Sequence, residues 1–252
     1  MNAEQIKKAY ELAKERYAAI GINTDDVIAQ LEKIQLSLHC WQADDVVGFE
    51  TVVGEAGGGI QATGNYPGKA RNMQELRDDI KFAASLLAGN HRVNVHAIYG
   101  EFNGEPVDRD QIEVKHFQGW MDWAKERKIG MDIAPCFYSH PKLDHGLSLS
   151  HPDAGIRKFW IDHGKAIRRI GEEFGKTLGT PAVCNFWMPD GLKEIPADRY
   201  SPRARMADSL DKILAAGYDK ELVDISLESK VFGIGLESYT VGSAEFCLAY
   251  SA

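Results

Sequence analysis

Gly130-Met131-Asp132-Ile133-Ala134-Pro135-Cys136-Phe137 opens the stretch whose reading decides the fold. A short apolar run enters a Pro-Cys-Phe cluster. Beyond it, Ile156, Phe159, Trp160, His163, Ile167, Ile170 and Phe174 recur on one face of a helical period, and a second apolar run follows at Ala182–Phe186. Strand, helix, strand with this spacing predicts a βαβ unit, whose two strands run parallel. The same alternation extends in both directions. Further strand-like runs lie at Ile34–Leu38, Val93–Ala97 and Val223–Leu227, and helical patterns lie near Met73–Leu87, Gln111–Lys125 and Pro202–Ala215. Ahead of them, Ile6, Ala9, Tyr10, Ala13, Tyr17 and Ile20 mark one helix between an Asn2 cap and Gly21, and a short second helix spans about Asp25 to Lys33.

A parallel sheet covered by helices is either doubly wound or rolled into a barrel. Each predicted strand runs into a polar, aromatic or cysteine cluster: His39-Cys40-Trp41, His96-Ala97-Ile98-Tyr99, Pro135-Cys136-Phe137, Asn185-Phe186-Trp187 and Glu228-Ser229-Lys230. A doubly wound sheet concentrates its site at one switch point, whereas a TIM (β/α)8 barrel draws on many strand ends. Five loaded strand ends favour the barrel. Eight strands close one, so residues 1–252 read as a single incomplete β/α-barrel domain of about five units, with residues 1–33 as an N-terminal helical extension.

The chain carries a formal net charge of −8, which argues against a nucleic-acid or membrane-surface partner. No apolar stretch has the length of a signal core or a membrane span. Cys40, Cys136, Cys184 and Cys247 are widely spaced without a C-x-x-C pair, which points to a reducing cytosol rather than a disulfide or zinc framework.

Residues 54–72 are rich in glycine. Within them Gly64-Asn65-Tyr66-Pro67-Gly68-Lys69-Ala70 approximates a phosphate loop, but it is one residue short and has Ala70 where magnesium needs a hydroxyl. The stretch reads instead as a mobile lid over the barrel mouth, or as a plain surface loop. In Glu228-Ser229-Lys230, period two puts Glu228 and Lys230 on one face. The carboxylate suits a hard divalent cation and the ammonium suits a developing oxyanion; a structural ion pair is the bland alternative. His96 is a candidate ligand, base or hydrogen-bonding contact, or a satisfied core histidine. Trp41, Phe137 and Trp187 either wall a sugar pocket or fill the rim of the core. His163 and His151 read as structural, Asp44-Asp45 as a solvated turn, and the cysteines as small hydrophobes.

At these residues the sequence resembles L-rhamnose isomerase. The resemblance rests on Ser37-Leu38-His39-Cys40-Trp41-Gln42-Ala43-Asp44-Asp45, on Gly58 to Asn72, on Val95-His96-Ala97-Ile98-Tyr99, on Phe186-Trp187-Met188-Pro189-Asp190-Gly191, and on two blocks, Leu227 to Gly235 and Glu237 to Ser243. It is collinear over nearly the whole chain. It implies a TIM barrel of the xylose-isomerase type, two divalent metals (usually Mn2+, with Zn2+ or Co2+ as substitutes) and a cytoplasmic homotetramer. The implied reaction interconverts L-rhamnose and L-rhamnulose. By carry-over, Glu228 is a metal ligand, Lys230 the catalytic lysine at the reacting end of the sugar, and Trp41, His96, Phe137 and Trp187 are substrate-binding positions. The chain corresponds to roughly the first three-fifths of a family member, whose remaining metal ligands fall beyond Ala252; alone, it is expected to be inactive. The rival readings are another metal-dependent sugar enzyme on the same barrel and a non-catalytic fragment.

Overall fold

The computed structural model describes residues 2–39, 48–51, 69–192, 196–215, 217–230 and 239–252. Five strands, β1 (Ser37–His39), β2 (Arg92–His96), β3 (Met131–Ala134), β4 (Ala182–Met188) and β5 (Val223–Ser229), form one sheet. All neighbours are parallel and the spatial order is β1-β2-β3-β4-β5. A doubly wound sheet reverses its strand order at a switch point; this one advances by one strand at every crossover.

The crossovers are α3 (Met73–Ser85), α4 (Gln118–Arg127), α5 (Ala154–Leu178) and α6 (Ser201–Leu214), with α7 (Ala244–Ser251) after β5. The register sorts the side chains into two faces, because paired residues of parallel strands point the same way. Val93, Val95, Met131, Ile133, Ala182, Cys184, Phe186, Met188 and Val223 share the outer face and are buried. Against them α5 lays Ile167, Ile170 and Phe174, none of which reaches solvent. Each such side chain contributes about 1.5–3 kcal/mol on burial. The inner face is mostly polar instead: Ser37, His39, Arg92, Asn94, His96, Asp132, Asn185, Asp224, Ser226 and Glu228 lie on it, with Ala134, Val183 and Trp187 among them.

The long helix α5 starts where Asp153 accepts the Gly155 and Ile156 amides at 2.7 and 2.9 Å, and it ends at Gly179 with φ +68°. Near that end it almost touches the chain entering β5: a Cβ on Gly175 would lie 1.9 Å from the Leu222 carbonyl oxygen. Glycine is required by this approach.

At the base of the inner face, Arg92 and Asp132 form a buried ion pair, with Nη2 to Oδ1 at 2.8 Å. Asp132 also accepts from Ser37 Oγ at 2.5 Å and from the Val183 amide at 2.7 Å, so one carboxylate ties β1, β2, β3 and β4 together. Arg92 reaches on to the Pro181 carbonyl at 2.7 Å.

Three expectations shift. β1 begins three residues later than the apolar run, and Ile34 and Leu36 stay exposed. β4 and β5 run two residues further, to Met188 and Ser229. The expected helix from Gln111 breaks into two 3-10 turns, Arg109–Gln111 and Val114–Phe117, before α4 starts. His116 Nδ1 accepts the Glu113 amide at 2.9 Å, a side-chain bond that replaces the helical one. The N-terminal extension forms as α1 (Ala3–Ala18) and α2 (Thr24–Leu31), the first with a complete capping box from Asn2 and Gln5. Neither helix buries a residue. Among the described residues no helix is long and apolar enough to cross a membrane.

Candidate functional site

The inner face ends, at the carboxyl end of the strands, in a polar cluster. His96 closes β2. Its ring is buried, with Nδ1 2.9 Å from the Tyr138 hydroxyl, a tilted stack on Tyr99 at 5.1 Å and an edge contact with His39 at 5.8 Å. Burial, helped by His39, pushes the His96 pKa down to about 3, so the imidazole is neutral. Among the described residues its Nε2 has no hydrogen-bond partner, and neither has Asn94 Oδ1 two residues earlier on the same face. Burial also lowers His39, opposed by the negative charges of Glu228 and Asp132.

Across the sheet, Ser226 Oγ donates to Asn185 Oδ1 at 2.7 Å, and Asn185 Nδ2 donates to Glu228 Oε2 at 2.6 Å. The chain thus orients the Asn185 amide and presents an exposed carboxylate at the strand end. Trp187, in register with Glu228, is half-buried with its ring against Tyr138 at 5.3 Å. Lys230, just past β5, donates from Nζ to the Gly191 carbonyl and from its amide to the Gly242 carbonyl at 2.8 Å. Gly191 is held in turn: Asp190, fully buried, accepts the Ser148 and Ser150 amides at 2.8 and 2.9 Å and both hydroxyls.

The expected residues therefore separate. His96, Trp187, Glu228 and Lys230 come to the same end of the sheet. Phe137 lies on the core side, wholly buried between Trp160, His163 and Phe186 with ring centroids 5.6–6.1 Å away. Trp41, Cys40 and Asp44-Asp45 lie outside the described residues, as do residues 54–68 of the expected lid. Of that stretch, Asn72 is described as the cap of α3, accepting the Glu75 amide at 3.0 Å.

His163, expected to be structural, is buried and hydrogen-bonded at both nitrogens: Nε2 accepts the Cys136 amide at 3.0 Å and Nδ1 donates to the Arg109 carbonyl at 2.9 Å. His151 likewise accepts from the Asp153 amide and meets Asp144 at 3.1 Å. Burial raises the thiols of Cys136, Cys184 and Cys247, in keeping with small hydrophobes rather than nucleophiles.

Four residues went unselected: His39, Asn94, Tyr138 and Asn185. Counting back by two from His96 and Trp187 would have found Asn94 and Asn185, and His39 already stood at a strand end. Tyr138 carries no periodic signal.

For a divalent metal, the described residues offer one exposed carboxylate, Glu228, backed by a neutral amide. Among them no three His, Cys, Asp or Glu side chains converge on a common point. They fit one ligand of a hard cation, not a complete shell.

The model of the family L-rhamnose isomerase (RhaA) matches residues 4–252. L-rhamnose isomerase of Bacteroides thetaiotaomicron is 55% identical over 249 residues, covering 99% of this chain and 59% of its own. The Rhodopirellula baltica protein of the same name is 52% identical over 249 residues, covering 99% and 58%. That of Salmonella heidelberg is 52% identical over 247 residues, covering 98% and 59%. The chain thus spans under three-fifths of the length of these curated relatives. Over that span, the chain belongs to the L-rhamnose isomerase family.

Proposed function

We propose that the protein interconverts L-rhamnose and L-rhamnulose, as a cytoplasmic homotetramer dependent on divalent metal, with Mn2+ the preferred ion. The observation that carries the reading is identity of 52–55% sustained over 98–99% of the chain with relatives bearing that name. We also propose that the five strands are successive units of an eight-stranded barrel of the xylose-isomerase type. Their order and their polar inner face support this.

Within that reading, Glu228 supplies one metal ligand and Lys230 places its ammonium beside an oxygen of the opened sugar, where negative charge develops as hydrogen moves between C1 and C2. His96 and Trp187 contact the sugar, one by hydrogen bond and one by an apolar wall. Trp41 and Phe137 retain their assignment as pocket positions by resemblance.

The test is turnover of the full-length protein with L-rhamnose and Mn2+, followed by ketose formation. Absence of ketose with any aldose and metal would overturn the reading. Running the reaction in heavy water tests the route: substantial solvent deuterium in the product would sink a direct hydride shift in favour of an enediol and a base.

A further inference from the structure

The loop after β3 is held more firmly than a surface loop requires. Arg109, fully buried, donates Nε to Glu50 Oε2 at 3.1 Å and Nη2 to Glu50 Oε1 at 2.5 Å. Its Nη1 donates to the Cys136 carbonyl at 2.6 Å and to the Tyr138 carbonyl, and Nη2 also to the Ser139 carbonyl at 3.0 Å. All five donors of the guanidinium are used, three of them on the backbone of residues 136–139. His163 adds a strut from the Cys136 amide to the Arg109 carbonyl. Within this clamp Ser139 sits at φ +49°, a left-handed backbone that a serine adopts only where its surroundings impose it.

What the clamp holds in place is Tyr138, whose hydroxyl meets His96 Nδ1 at 2.9 Å. We propose that Tyr138 is a positioning residue: anchored by Arg109 and Glu50, its hydroxyl donates to His96 Nδ1 and so presents His96 Nε2–H to an oxygen of a polyhydroxyl ligand on the inner face. The direction follows from acidity. A phenol is a stronger donor than a neutral imidazole N–H, and an imidazole nitrogen is a stronger acceptor than a phenol oxygen. With the proton of the neutral ring on Nε2, that atom needs an acceptor, and it is buried with none among the described residues. The pairing also fixes the ring plane against Tyr99. Which nitrogen of a histidine carries the proton is set by the bond the other one makes, and here that partner is a tyrosine on a clamped loop. The inference rests on His96 being a sugar contact, but its first test does not.

The experiment is long-range 1H–15N NMR of the full-length protein labelled at histidine, with the His96 signals assigned by their loss in His96→Gln. A single neutral tautomer protonated at Nε2 is expected; the Nδ1–H tautomer in the unmodified protein would overturn the proposal without any variant. In Tyr138→Phe the His96 signals should move towards a mixture of tautomers, while those of His163 stay put. Unaltered His96 signals in a folded Tyr138→Phe protein would also overturn it. Kinetics provide the second readout: Tyr138→Phe should lower kcat/KM about five- to tenfold, mainly through KM, the scale of one lost hydrogen bond. A protein that isomerises no aldose but has the expected tautomer would sink the functional reading and leave the positioning intact.

Discussion

Asp132 Oδ1 accepts the Val183 amide at 2.7 Å, so a side chain of β3 bonds the backbone of β4 beside the one register pair of those strands, Ile133 with Cys184. The same carboxylate neutralises the buried Arg92. Asp132→Ala removes both functions and leaves a guanidinium buried without its anion, which costs about 3–5 kcal/mol. Urea unfolding should show that loss, with Asp132→Asn intermediate because its amide oxygen still accepts from Val183. A change below about 1 kcal/mol in Asp132→Ala would contradict the tie.

Acid should unfold the protein by way of its buried histidines, of which His96 and His163 are lowered furthest. Burial lowers His96 and His163 to about 3 from an ordinary value of 6.5. A folded-state pKa below the unfolded one means that the unfolded chain binds the proton first. The stability these rings contribute is therefore complete above pH 6.5 and is lost as pH falls towards 3. These two protons alone give a slope approaching about 3 kcal/mol per pH unit in the lower part of that window, and His140, lowered to about 4, adds to it. Urea midpoints taken from pH 7.5 to 4.5 without metal measure it, and a flat profile below pH 6 would refute it.

The parallel sheet was legible because its outer face is apolar and its helices are amphipathic: Ile167, Ile170 and Phe174 give away α5 by spacing alone. The common strand-end placement of Glu228, Lys230, His96 and Trp187 was legible because each closes or follows a strand-like run. Phe137 could not be placed by the same rule. It follows a strand, but its ring turns into the helix layer towards Trp160. The break ahead of α4 was hidden because it depends on one side chain, His116, taking a backbone amide. Tyr138 and the Arg109–Glu50 clamp stayed invisible for another reason: their partners lie 42 and 59 residues away in sequence, and no local pattern encodes such a pairing.

Gly175 offers a test of packing that leaves the site untouched. A methyl group there meets the Leu222 carbonyl oxygen, backbone that cannot swing aside because it accepts the Ala182 amide at 2.9 Å. Gly175→Ala should cost about 1–3 kcal/mol despite the better helix propensity of alanine, and turnover at low temperature should persist. Thermal melting measures the cost; a stabilised variant would show that α5 and β5 can separate freely.

Glu228→Gln keeps the side-chain shape and an oxygen for Asn185 Nδ2 while removing the charge. If Glu228 is a metal ligand, Mn2+ affinity measured by calorimetry on the full-length protein should fall at least about tenfold, the scale set by loss of one anionic oxygen donor. The melting temperature without metal should change little, because the carboxylate is exposed. Equal affinity in the two proteins would remove Glu228 from the metal site.

Lys230 is the sharpest case, because its ammonium is aimed rather than merely present. Its Nζ donates to the Gly191 carbonyl, and Gly191 sits at φ +95° with a would-be Cβ 3.0 Å from the Val241 amide nitrogen, so that the carbonyl direction is fixed by glycine. Asp190, holding Ser148 and Ser150, fastens the same turn from below. Lys230→Met preserves the length of the stem and deletes the charge; kcat should fall about 10²–10³-fold with KM little changed, as for a donor that acts on the transition state. If Lys230 has the proposed role, Lys230→Arg should not restore it, since a planar fork cannot both reach Gly191 and place one point charge at a sugar oxygen. Asp190→Asn tests the support: it keeps the fold of the turn but weakens four acceptor bonds, so its loss in kcat should be smaller than that of Lys230→Met. Steady-state kinetics of the three variants decide the order. A Lys230→Met protein with near-normal kcat would show that the ammonium only closes the β4–β5 corner and takes no part in moving hydrogen along the sugar.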